Sequence, residues 1–452
     1  MVMPLGFPAL ANLLHDQGFS TRIIHLGIEK ECNPHFSLKS SLQTYQPKVV
    51  LLSLHWHLQT RAVLDTARAI RSWDKDILIV IGGLSASAFA LEIVQTVRSV
   101  DAVVIGDGEE PLLQLLNCVR SHSHDFSAVP NLVWRTPSNT VVKNPGLFAL
   151  TQDYSARLRH GSLALLDHRQ AYLERALYAD FSEGADGSEG YAKAAYLNAG
   201  RGCTAACIHC GGSAESQGIT SRRDGIILYP IDKLMRDLRE AQGEGANLLR
   251  MSFDPPVARP HLQKWFEEIR EEFPSFRTVF DCWFLPTEKM LQSLANTFPS
   301  GATAVFSPEC GNEALRCRIR GLPFKNDQLI SSLRMAESFG IRTHCFFSAG
   351  LPTETQSDLE DTARLIRTIR ETTQSGISVC PMVLDPASPL FLHPDQWKAR
   401  LLRRSLRDFY DENGLPNGPG YETDRFSEQQ IVEACDHLLD QAGLPPLGGT
   451  SK

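Results

Sequence analysis

Six repeats of a strand followed by a helix occupy residues 191–390, and they constrain the fold more than any other feature of the chain. Helical stretches such as 230–242 and 355–371 lie between apolar runs of strand length. The predicted strands are 194–200, 247–253, 277–284, 304–309, 342–350 and 377–384. Parallel strands that alternate with helices curl into a barrel whose active site lies at the carboxyl ends of the strands. Six units predict an open, partial barrel.

Helices and strands also alternate over residues 1–125, which predicts a separate doubly wound parallel sheet. The pattern predicts helices at 8–19 and 60–73, and strands at 20–27, 48–54 and 76–83. Residues 101–116 are predicted to form a short strand, a glycine turn and another helix. No strand precedes the first helix, so either the protein begins further upstream or the sheet is one strand short.

Two less regular regions complete the predicted domain organisation. A connecting segment covers 126–190 and contains a predicted hairpin at 131–145 and an acidic, Gly/Ser-rich linker at 180–190. Residues 391–452 are predicted to form helices with a Pro/Gly-rich end, as a cap or a frayed tail. The chain is therefore an α/β protein: a Rossmann-like domain, a six-fold βα partial barrel and a helical tail.

Composition excludes several classes of protein. The 452 residues are 42% hydrophobic and 21% charged with a net charge of −7, so no nucleic-acid partner held by bulk charge is expected. The longest apolar run, 77–91, is interrupted by Gly82 and Gly83, and the first ten residues lack the pattern of a signal peptide. These features predict a cytoplasmic monomer without membrane association, in which most of the 11 cysteines are reduced.

Three cysteines lie within eight positions in "RGCTAACIHC", directly after the first strand of the predicted barrel. Cys203, Cys207 and Cys210 are spaced CxxxCxxC, and a loop this short can wrap around a compact inorganic core. A tetrahedral zinc site needs a fourth ligand from elsewhere in the chain. A 4Fe–4S cluster held by three thiolates keeps one iron open for a ligand that is not protein. Both interpretations make this loop a metal site.

The spacing and position of the cysteines resemble the radical S-adenosylmethionine (SAM) superfamily. The resemblance implies that Cys203, Cys207 and Cys210 hold a 4Fe–4S cluster and that its open iron binds SAM, which one electron cleaves to a 5′-deoxyadenosyl radical. The residue before the last cysteine is usually aromatic in that family. Here it is His209, whose ring is expected to pack over the cluster; the alternative is that it acts as a fourth ligand.

Other family motifs follow in order. Gly211 and Gly212 match the family's Gly-Gly-Glu near the SAM amino group, with Ser213 in place of the glutamate. Glu309, in a motif that closes with Arg320 and Gly321, would bond the ribose or methionine part of SAM; the alternative is a buried carboxylate paired with an arginine. The fifth-strand motif would pack on adenine through Gly350, Pro352 and Glu354. Further residues are predicted to line the barrel mouth or pack in the core: Asp254, facing substrate, and Asp281, Trp283, His344, Cys310, Cys317, Cys345 and Cys380.

The first domain resembles the cobalamin-binding domain of cobalamin-dependent radical SAM enzymes. The matching stretches are 4–26, 49–60, 80–87 and 103–116. The expected cobalamin contacts are Ser53, His55, Trp56, His57 and Arg61, after one strand, and the glycines Gly82, Gly83, Gly106 and Gly108, where backbone approaches the cofactor. The Asp-x-His-x-x-Gly loop of many cobalamin proteins is absent. A histidine ligand to cobalt, an unligated face shielded by Trp56 or Arg61, and histidines that only bond within the loop all remain open.

The two resemblances together imply a cobalamin-dependent radical SAM enzyme with three cofactors: a 4Fe–4S cluster, SAM and cobalamin. Its expected reaction is methylation of an unactivated carbon, or of phosphorus, in a small molecule or natural-product precursor. A reductant protein of flavodoxin or ferredoxin type would supply electrons. The alternatives are a rearrangement, cyclisation or oxidation without methyl transfer, a non-catalytic iron–sulfur or cobalamin sensor, and a structural zinc protein.

Overall fold

The first domain is built on a five-stranded sheet. The structure, a computed structural model, describes residues 2–176, 192–415 and 418–444, so the expected linker at 180–190 lies outside the described residues. The strands, in spatial order, are β1 (Val49–Ser53), β2 (Leu78–Gly82), β3 (Ala102–Val104), β4 (Leu132–Arg135) and β5 (Val141–Lys143). The first three are parallel, and β4 and β5 form the expected hairpin, which joins the sheet antiparallel to β3.

Helices cover both faces of this sheet, as apolar strands in a parallel sheet require. The helices described before residue 177 are α1 (Gly6–Asp16), α2 (Leu26–Cys32), α3 (Leu38–Tyr45), α4 (Thr60–Trp73), α5 (Leu84–Ala88), α6 (Ala90–Thr96), α7 (Glu109–Arg120), α8 (Gln152–Ser155) and α9 (Arg169–Arg175). A single 3₁₀ turn, His57–Gln59, precedes α4. The predicted helices at 8–19 and 60–73 correspond to α1 and α4.

The strand predicted at 20–27 is wrong. Ile23 makes one isolated parallel bridge to Leu166, and the chain then enters α2, whose first turn is capped by His25. Ile23 and Ile28 are buried against the barrel side of the molecule, next to Leu173, rather than in the first sheet. Among residues 2–48 no strand joins that sheet, so β1 is an edge strand and its five residues are only half-buried.

The second domain is an open sheet of six parallel strands, as the repeats predict. Its strands are β6 (Ala194–Tyr196), β9 (Leu248–Met251), β10 (Arg277–Cys282), β11 (Ala302–Glu309), β12 (Arg342–Ala349) and β13 (Gly376–Pro381). Two further strands, β7 (Gly200–Gly202) and β8 (Ile226–Leu228), form a small antiparallel pair between β6 and β9 in the sequence. The large sheet has the order β13-β12-β11-β10-β9-β6, while β7 pairs with β8. All neighbours in the large sheet are parallel.

Helices wrap the outer face of these strands. They are α10 (Ala214–Thr220), α11 (Ile231–Gly243), α12 (Arg259–Glu272), α13 (Glu288–Thr297), α14 (Glu313–Arg320), α15 (Asn326–Ser338) and α16 (Gln356–Thr372), with a 3₁₀ turn at Pro256–Ala258. Aromatic side chains fill the layer between strands and helices, among them Trp265, Phe266 and Phe280, each at most 1% exposed. Burial of one such side chain contributes roughly 1.5–3 kcal/mol.

The C-terminal region contacts both domains. It contains α17 (Pro389–Leu392), β14 (Ala399–Leu401), α18 (Leu406–Asp411), β15 (Tyr421–Thr423) and α19 (Glu428–Gln441). The expectation of helices alone is incomplete, because β14 and β15 form a two-stranded antiparallel sheet. Helix α19 packs on β12 and β13, whereas Phe409 and Tyr421 share a core with the first domain. None of the helices in the described ranges is both long and apolar enough to cross a membrane.

Candidate functional site

The cysteine loop begins directly after β7 and is held at both sides by backbone hydrogen bonds. The Ile208 amide donates to the carbonyl of Ile319 at the end of α14 (3.0 Å), and the Ile208 carbonyl accepts from Leu390 (2.8 Å). Ile208 itself is buried in a small apolar cluster with Cys310 and Leu351. The loop therefore has one defined path at the carboxyl end of the barrel, where barrel enzymes place their sites.

The sulfurs of this loop lie in a partly buried setting, and two of them accept hydrogen bonds from backbone amides. Backbone amides donate to two of the sulfurs, Ala205 to Cys203 Sγ and Gly212 to Cys210 Sγ, each at 3.3 Å. Burial raises the pKa of the Cys203 thiol and raises that of Cys210 to about 12, so metal binding there must displace protons. No group of three or more His, Cys, Asp or Glu side chains within the described ranges is placed to hold a single metal ion.

Glu309 and Arg320 lie beside the cysteine loop and pair with each other. Arg320 Nη1 donates to Glu309 Oε1 at 2.6 Å, and the Ser348 hydroxyl donates to Glu309 Oε2 at 2.8 Å. Burial lowers the pKa of Arg320, but the charges of Glu309 and Cys207 outweigh it and raise the pKa above its ordinary value. The structure thus shows the alternative interpretation of Glu309, a carboxylate paired with an arginine, and contact with SAM stays a prediction.

Backbone geometry sets this pair apart. Glu309 has a φ of +63°, an unusual conformation for a residue with a side chain, and it follows a register shift between β11 and β12. Gly321, at φ +66°, ends α14 just after Arg320, as a C-terminal glycine typically does. Strained residues of this kind cluster at functional sites.

The residues that follow the last cysteine are used by the protein itself. The Ser213 hydroxyl caps α10, is buried and contacts the Ser216 hydroxyl at 2.8 Å, so its side chain has a structural role, and the expected cofactor contact stays a prediction. A side chain on Gly211 would lie 2.7 Å from the Pro386 carbonyl, whereas one on Gly212 would meet no atom closer than Cys210 Sγ at 3.7 Å. Of these three, Gly212 has the most open surroundings.

The fifth-strand motif is also organised internally. Glu354 Oε2 accepts the amides of Gly350 (2.8 Å) and Leu351 (3.2 Å), and burial raises its pKa to about 8. Gly350 has a φ of +85°, and a side chain there would lie 2.5 Å from Ile431 of α19. Pro352 is buried. Glu354 therefore shapes the loop with its carboxylate, and adenine contact by this motif remains a prediction about backbone atoms.

The loop after β1 presents its two histidines differently. Ser53 is the last residue of β1; His55 and Trp56 are half-buried, with their rings edge-to-face at 4.9 Å. Burial lowers the pKa of His55 to about 4, so this ring is neutral near pH 7. His57 is buried, and its Nδ1 lies 3.0 Å from Asp385 Oδ1.

Arg61 contacts the C-terminal region. Its Nε donates to the Tyr410 carbonyl of α18 at 3.0 Å, and its side chain is half exposed. This contact between distant segments gives the arginine a partner within the protein, and its role as a shield for cobalt stays a prediction.

The four glycines of the first domain have different reasons to be glycine. A side chain on Gly83 would lie 2.7 Å from the backbone of Leu54 and His55, and one on Gly106 would lie 2.9 Å from Ser221 of the second domain. Gly82 and Gly108 would meet only ordinary contacts, the nearest at 3.9 and 3.6 Å. Close packing of the chain explains Gly83 and Gly106, and cobalamin contact at these four positions stays a prediction.

Contacts between the domains include residues that the sequence did not single out. Asp107 bonds Arg201 (2.9 Å) and Arg223, and Arg201 also pairs with Glu109 (2.8 Å). Asp385, after β13, accepts the Gly211 amide at 3.1 Å in addition to its contact with His57. The only signals in the sequence were that Arg201 adjoins the cysteine loop and that Asp385 follows a barrel strand.

Inside the barrel, the polar residues pair with one another. Asp254 is 1% exposed and makes two 3.0 Å bonds to Arg259, so a direct role on substrate is replaced by a buried ion pair. Asp281 bonds Arg250 at 2.5 Å, and His344 Nε2 lies 2.9 Å from the Ser378 hydroxyl. As expected, Trp283 packs against Phe253, and Cys310 and Cys345 are buried. Cys317 and Cys380 are exposed, so the expectation of core packing is wrong for these two thiols.

Two buried ring nitrogens test whether cofactors fit here. His57 Nε2 and His209 Nδ1 have no hydrogen-bond partner within the described part of the chain. One comes from each domain, and both belong to loops expected to face cofactors. Buried polar atoms without partners are rare in proteins and are expected where a ligand or water completes them. Together with the three thiols of the cysteine loop, two of which accept amide protons, they fit a cluster and a second large ligand between the domains.

Comparison with known protein families agrees with both halves of the molecule. Residues 2–116 match the B12 binding domain, and residues 197–366 match the Radical SAM superfamily. The chain thus contains a B12 binding domain followed by a Radical SAM domain, the combination expected of cobalamin-dependent radical SAM enzymes. The expected Rossmann-like cobalamin-binding domain and the radical SAM partial barrel are therefore confirmed, as are the cofactor classes of the family. The domain boundaries drawn from the sequence stay predictions.

Individual relatives are distant. The hopanoid C-3 methylase of Methylococcus capsulatus is 28% identical over 131 residues, which is 29% of this chain and only 24% of that protein. The methyltransferase TsrM of Kitasatospora setae, solved with cobalamin and a 4Fe–4S cluster, has a TM-score of 0.67 at 16% identity over 86% of this chain and 74% of its own. OxsB, solved with aqua-cobalamin, has a TM-score of 0.66 at 14% identity over 97% of this chain and 64% of its own. At such identities the two structures establish a shared fold.

Proposed function

We propose that this protein is a cobalamin-dependent radical SAM methyltransferase. Its substrate is a small molecule or natural-product precursor, methylated at an unactivated carbon or at phosphorus. Cys203, Cys207 and Cys210 hold the cluster, and the loop after β1 contacts cobalamin. When bound, the cluster would supply the electron that cleaves SAM to a 5′-deoxyadenosyl radical, and cobalamin would supply methyl-transfer chemistry.

One observation carries this proposal. The cysteine loop and the loop after β1, which belong to different domains, meet at Asp385, which bonds Gly211 and His57 at 3.1 and 3.0 Å. A donor set of three thiols therefore lies next to the carboxyl end of the first-domain sheet, where α/β sheets bind ligands. Two cofactor sites that face each other are what a transfer between cofactors needs.

The chain's own residues bind and orient rather than react. Ile208 and the neighbouring apolar cluster cover one side of the cysteine loop. Arg320 places a positive charge beside Cys207, where it stabilises the negative charge of thiolates, and Glu309 compensates the arginine. Neutral His55 and Trp56 give the cobalamin side a half-buried, uncharged surface.

The relatives support methyl transfer without naming the substrate. One is called a hopanoid methylase, and TsrM is called a methyltransferase and has been solved with tryptophan and an analogue of SAM. OxsB is called only a cobalamin-dependent SAM radical enzyme, which keeps a reaction without methyl transfer as the second candidate. A flavodoxin- or ferredoxin-type protein remains the proposed reductant.

The test is anaerobic reconstitution with iron, sulfide and hydroxocobalamin, followed by incubation with SAM and a chemical reductant. A brown protein with about four irons per chain that releases 5′-deoxyadenosine is expected. A colourless protein with one zinc, or a cluster protein that leaves SAM intact, would overturn the enzymatic proposal in favour of a zinc protein or a sensor.

A second assay separates the two candidate reactions. SAM with a deuterated methyl group is supplied with extracts of small molecules, and products are followed by mass. Transfer of the labelled methyl group is expected. Consumption of SAM to 5′-deoxyadenosine with products that carry no label would instead favour rearrangement, cyclisation or oxidation.

A further inference from the structure

Asp385 connects the two cofactor loops with one carboxylate. Its Oδ2 accepts the amide of Gly211, the residue directly after Cys210, and its Oδ1 lies 3.0 Å from Nδ1 of His57. These partners are 174 and 328 residues away along the chain. No hydrogen bond between the two loops themselves is present in the described ranges, so Asp385 is their shared contact.

The surroundings hold Asp385 in place. Its own segment packs directly on the cysteine loop, because a side chain on Gly211 would lie 2.7 Å from the Pro386 carbonyl. The Ser216 hydroxyl of α10 donates to the Ala387 carbonyl at 2.7 Å, which ties the same segment to the next helix. Leu384 is fully buried in the core that the C-terminal region shares with the first domain.

His57 and Asp385 differ in side-chain exposure, which indicates where the link is rigid. His57 is 6% exposed and packs edge-on against Phe409, while the carboxylate is 40% exposed. The buried ring is thus fixed by its core, and the carboxylate reaches from it to the cysteine loop. Asp385 is also close enough to His55, His209 and Cys210 to affect them electrostatically, so its charge lies among the expected cofactor contacts of both domains.

We propose that Asp385 is a positioning residue: it fixes the cysteine loop relative to the loop after β1 and thereby sets the separation of the two cofactors. The inference rests on the proposed function for its purpose but not for its geometry. A carboxylate suits this role because it accepts from an amide with one oxygen and orients an imidazole with the other.

The experiment is hydrogen exchange measured by mass spectrometry on the full chain, without and with hydroxocobalamin. Asp385→Ala removes both bonds, Asp385→Asn keeps one acceptor without the charge, and His57→Gln removes the ring. Asp424→Asn is the matched control, since the ion pairs of Asp424 in the described part of the chain are with exposed cations of the C-terminal region. Exchange of peptides from α16 reports whether each variant is folded.

In the ligand-free protein, Asp385→Ala is expected to speed exchange of residues 203–213 roughly threefold or more, with α16 and the Asp424→Asn control unchanged. His57→Gln should also speed exchange of 203–213. Combining it with Asp385→Ala should add little, because both substitutions break the same link. Unchanged exchange of 203–213 in a folded Asp385→Ala protein would overturn the proposal. If Asp385→Ala does not fold, Asp385→Asn and His57→Gln decide by the same criterion.

Hydroxocobalamin gives the second readout. In the wild type it should slow exchange both in 53–61 and, through the link, in 203–213; in Asp385→Ala it should slow only 53–61. Equal protection of 203–213 in both proteins would contradict the positioning role. Absence of any effect on 53–61 in the wild type would count against the proposed cobalamin site, while the ligand-free comparison would still decide the role of Asp385.

Discussion

Arg320 donates to Glu309 at 2.6 Å, and this buried pair stands directly behind the cysteine loop. The arginine is the last residue of α14 and the glutamate the last of β11. Glu309 compensates the charge of Arg320, and the guanidinium of Arg320 is the member of the pair that lies next to Cys207. This arrangement explains how the loop can collect negatively charged thiolates in a buried site.

Glu309→Gln should destabilise the protein by about 3–5 kcal/mol, because it leaves Arg320 buried without its counter-charge. Urea unfolding measures the change. Glu309→Gln with Arg320→Met should be less destabilised than Glu309→Gln alone, since no buried charge is then left unpaired. Glu272→Gln, which breaks an exposed pair with Arg239, is the control and should cost at most about 1 kcal/mol. Equal losses for Glu309→Gln and the control would show that the buried pair is unimportant.

Cys207→Ala should lose the cluster and with it the cleavage of SAM. Iron content should fall from about four to below one per chain, and 5′-deoxyadenosine formation by more than roughly 100-fold, since even outer-shell changes at metal sites cost 10–100-fold. The matched control is Cys317→Ala, because Cys317 is exposed on α14. A Cys207→Ala protein that kept its iron and activity would remove this cysteine from the site.

Gly350→Ala should cost about 1–3 kcal/mol, because φ is +85° and the new methyl would lie 2.5 Å from Ile431. Thermal unfolding measures it. Adding Ile431→Ala should remove the clash caused by the methyl but not the backbone strain. Gly243→Ala, at the end of α11 with nothing within 4 Å, should be neutral or slightly stabilising. If the two single variants behaved alike, the contact between β12's loop and α19 would not matter for stability.

Glu354→Gln should flatten the pH dependence of stability. Burial raises the pKa of Glu354 to about 8 in the folded protein, while the unfolded chain titrates near its ordinary, lower value. The folded state therefore holds one proton more between these values, and rising pH there costs up to about 1.4 kcal/mol per unit. That stability is fully present below the ordinary pKa and is lost as pH rises toward 8.

Urea unfolding between about pH 5 and 8 makes the comparison, because the difference between wild type and variant isolates this one group. Glu288→Gln, at an exposed position in α13, is the control and should follow the wild type. Parallel curves for wild type and Glu354→Gln would mean that Glu354 is already ionised in the folded protein.

Much of the fold could be predicted because periodicity is a local property. All six barrel strands, the helix at 60–73 and the hairpin at 131–145 follow from the alternation and spacing of apolar residues. The segment 20–27 has the same apolar character as a strand, yet it packs beside α9 instead of in a sheet. Likewise β14 and β15 have three residues each and are separated in sequence by helix α18, so no local pattern predicts that they pair.

The site shows the same division. Spacing alone places the three thiols together, whereas the structure decides that Ser213 caps a helix, that Arg61 turns to Tyr410 and that Glu309 is shared by Arg320 and Ser348. Motifs identify residue types in order, but the partner of each side chain depends on which distant segment packs against it.

The sequence alone predicts the two domains, the barrel and the cluster-binding loop, because the hydrophobic period and the ligand spacing each depend on a few neighbouring residues. Only the tertiary structure decided how the domains meet, through Asp107 with Arg201 and through Asp385 with His57. The latter pair is separated by 328 residues. Their meeting is set by the packing of whole cores against each other, for which no short stretch of sequence holds the information.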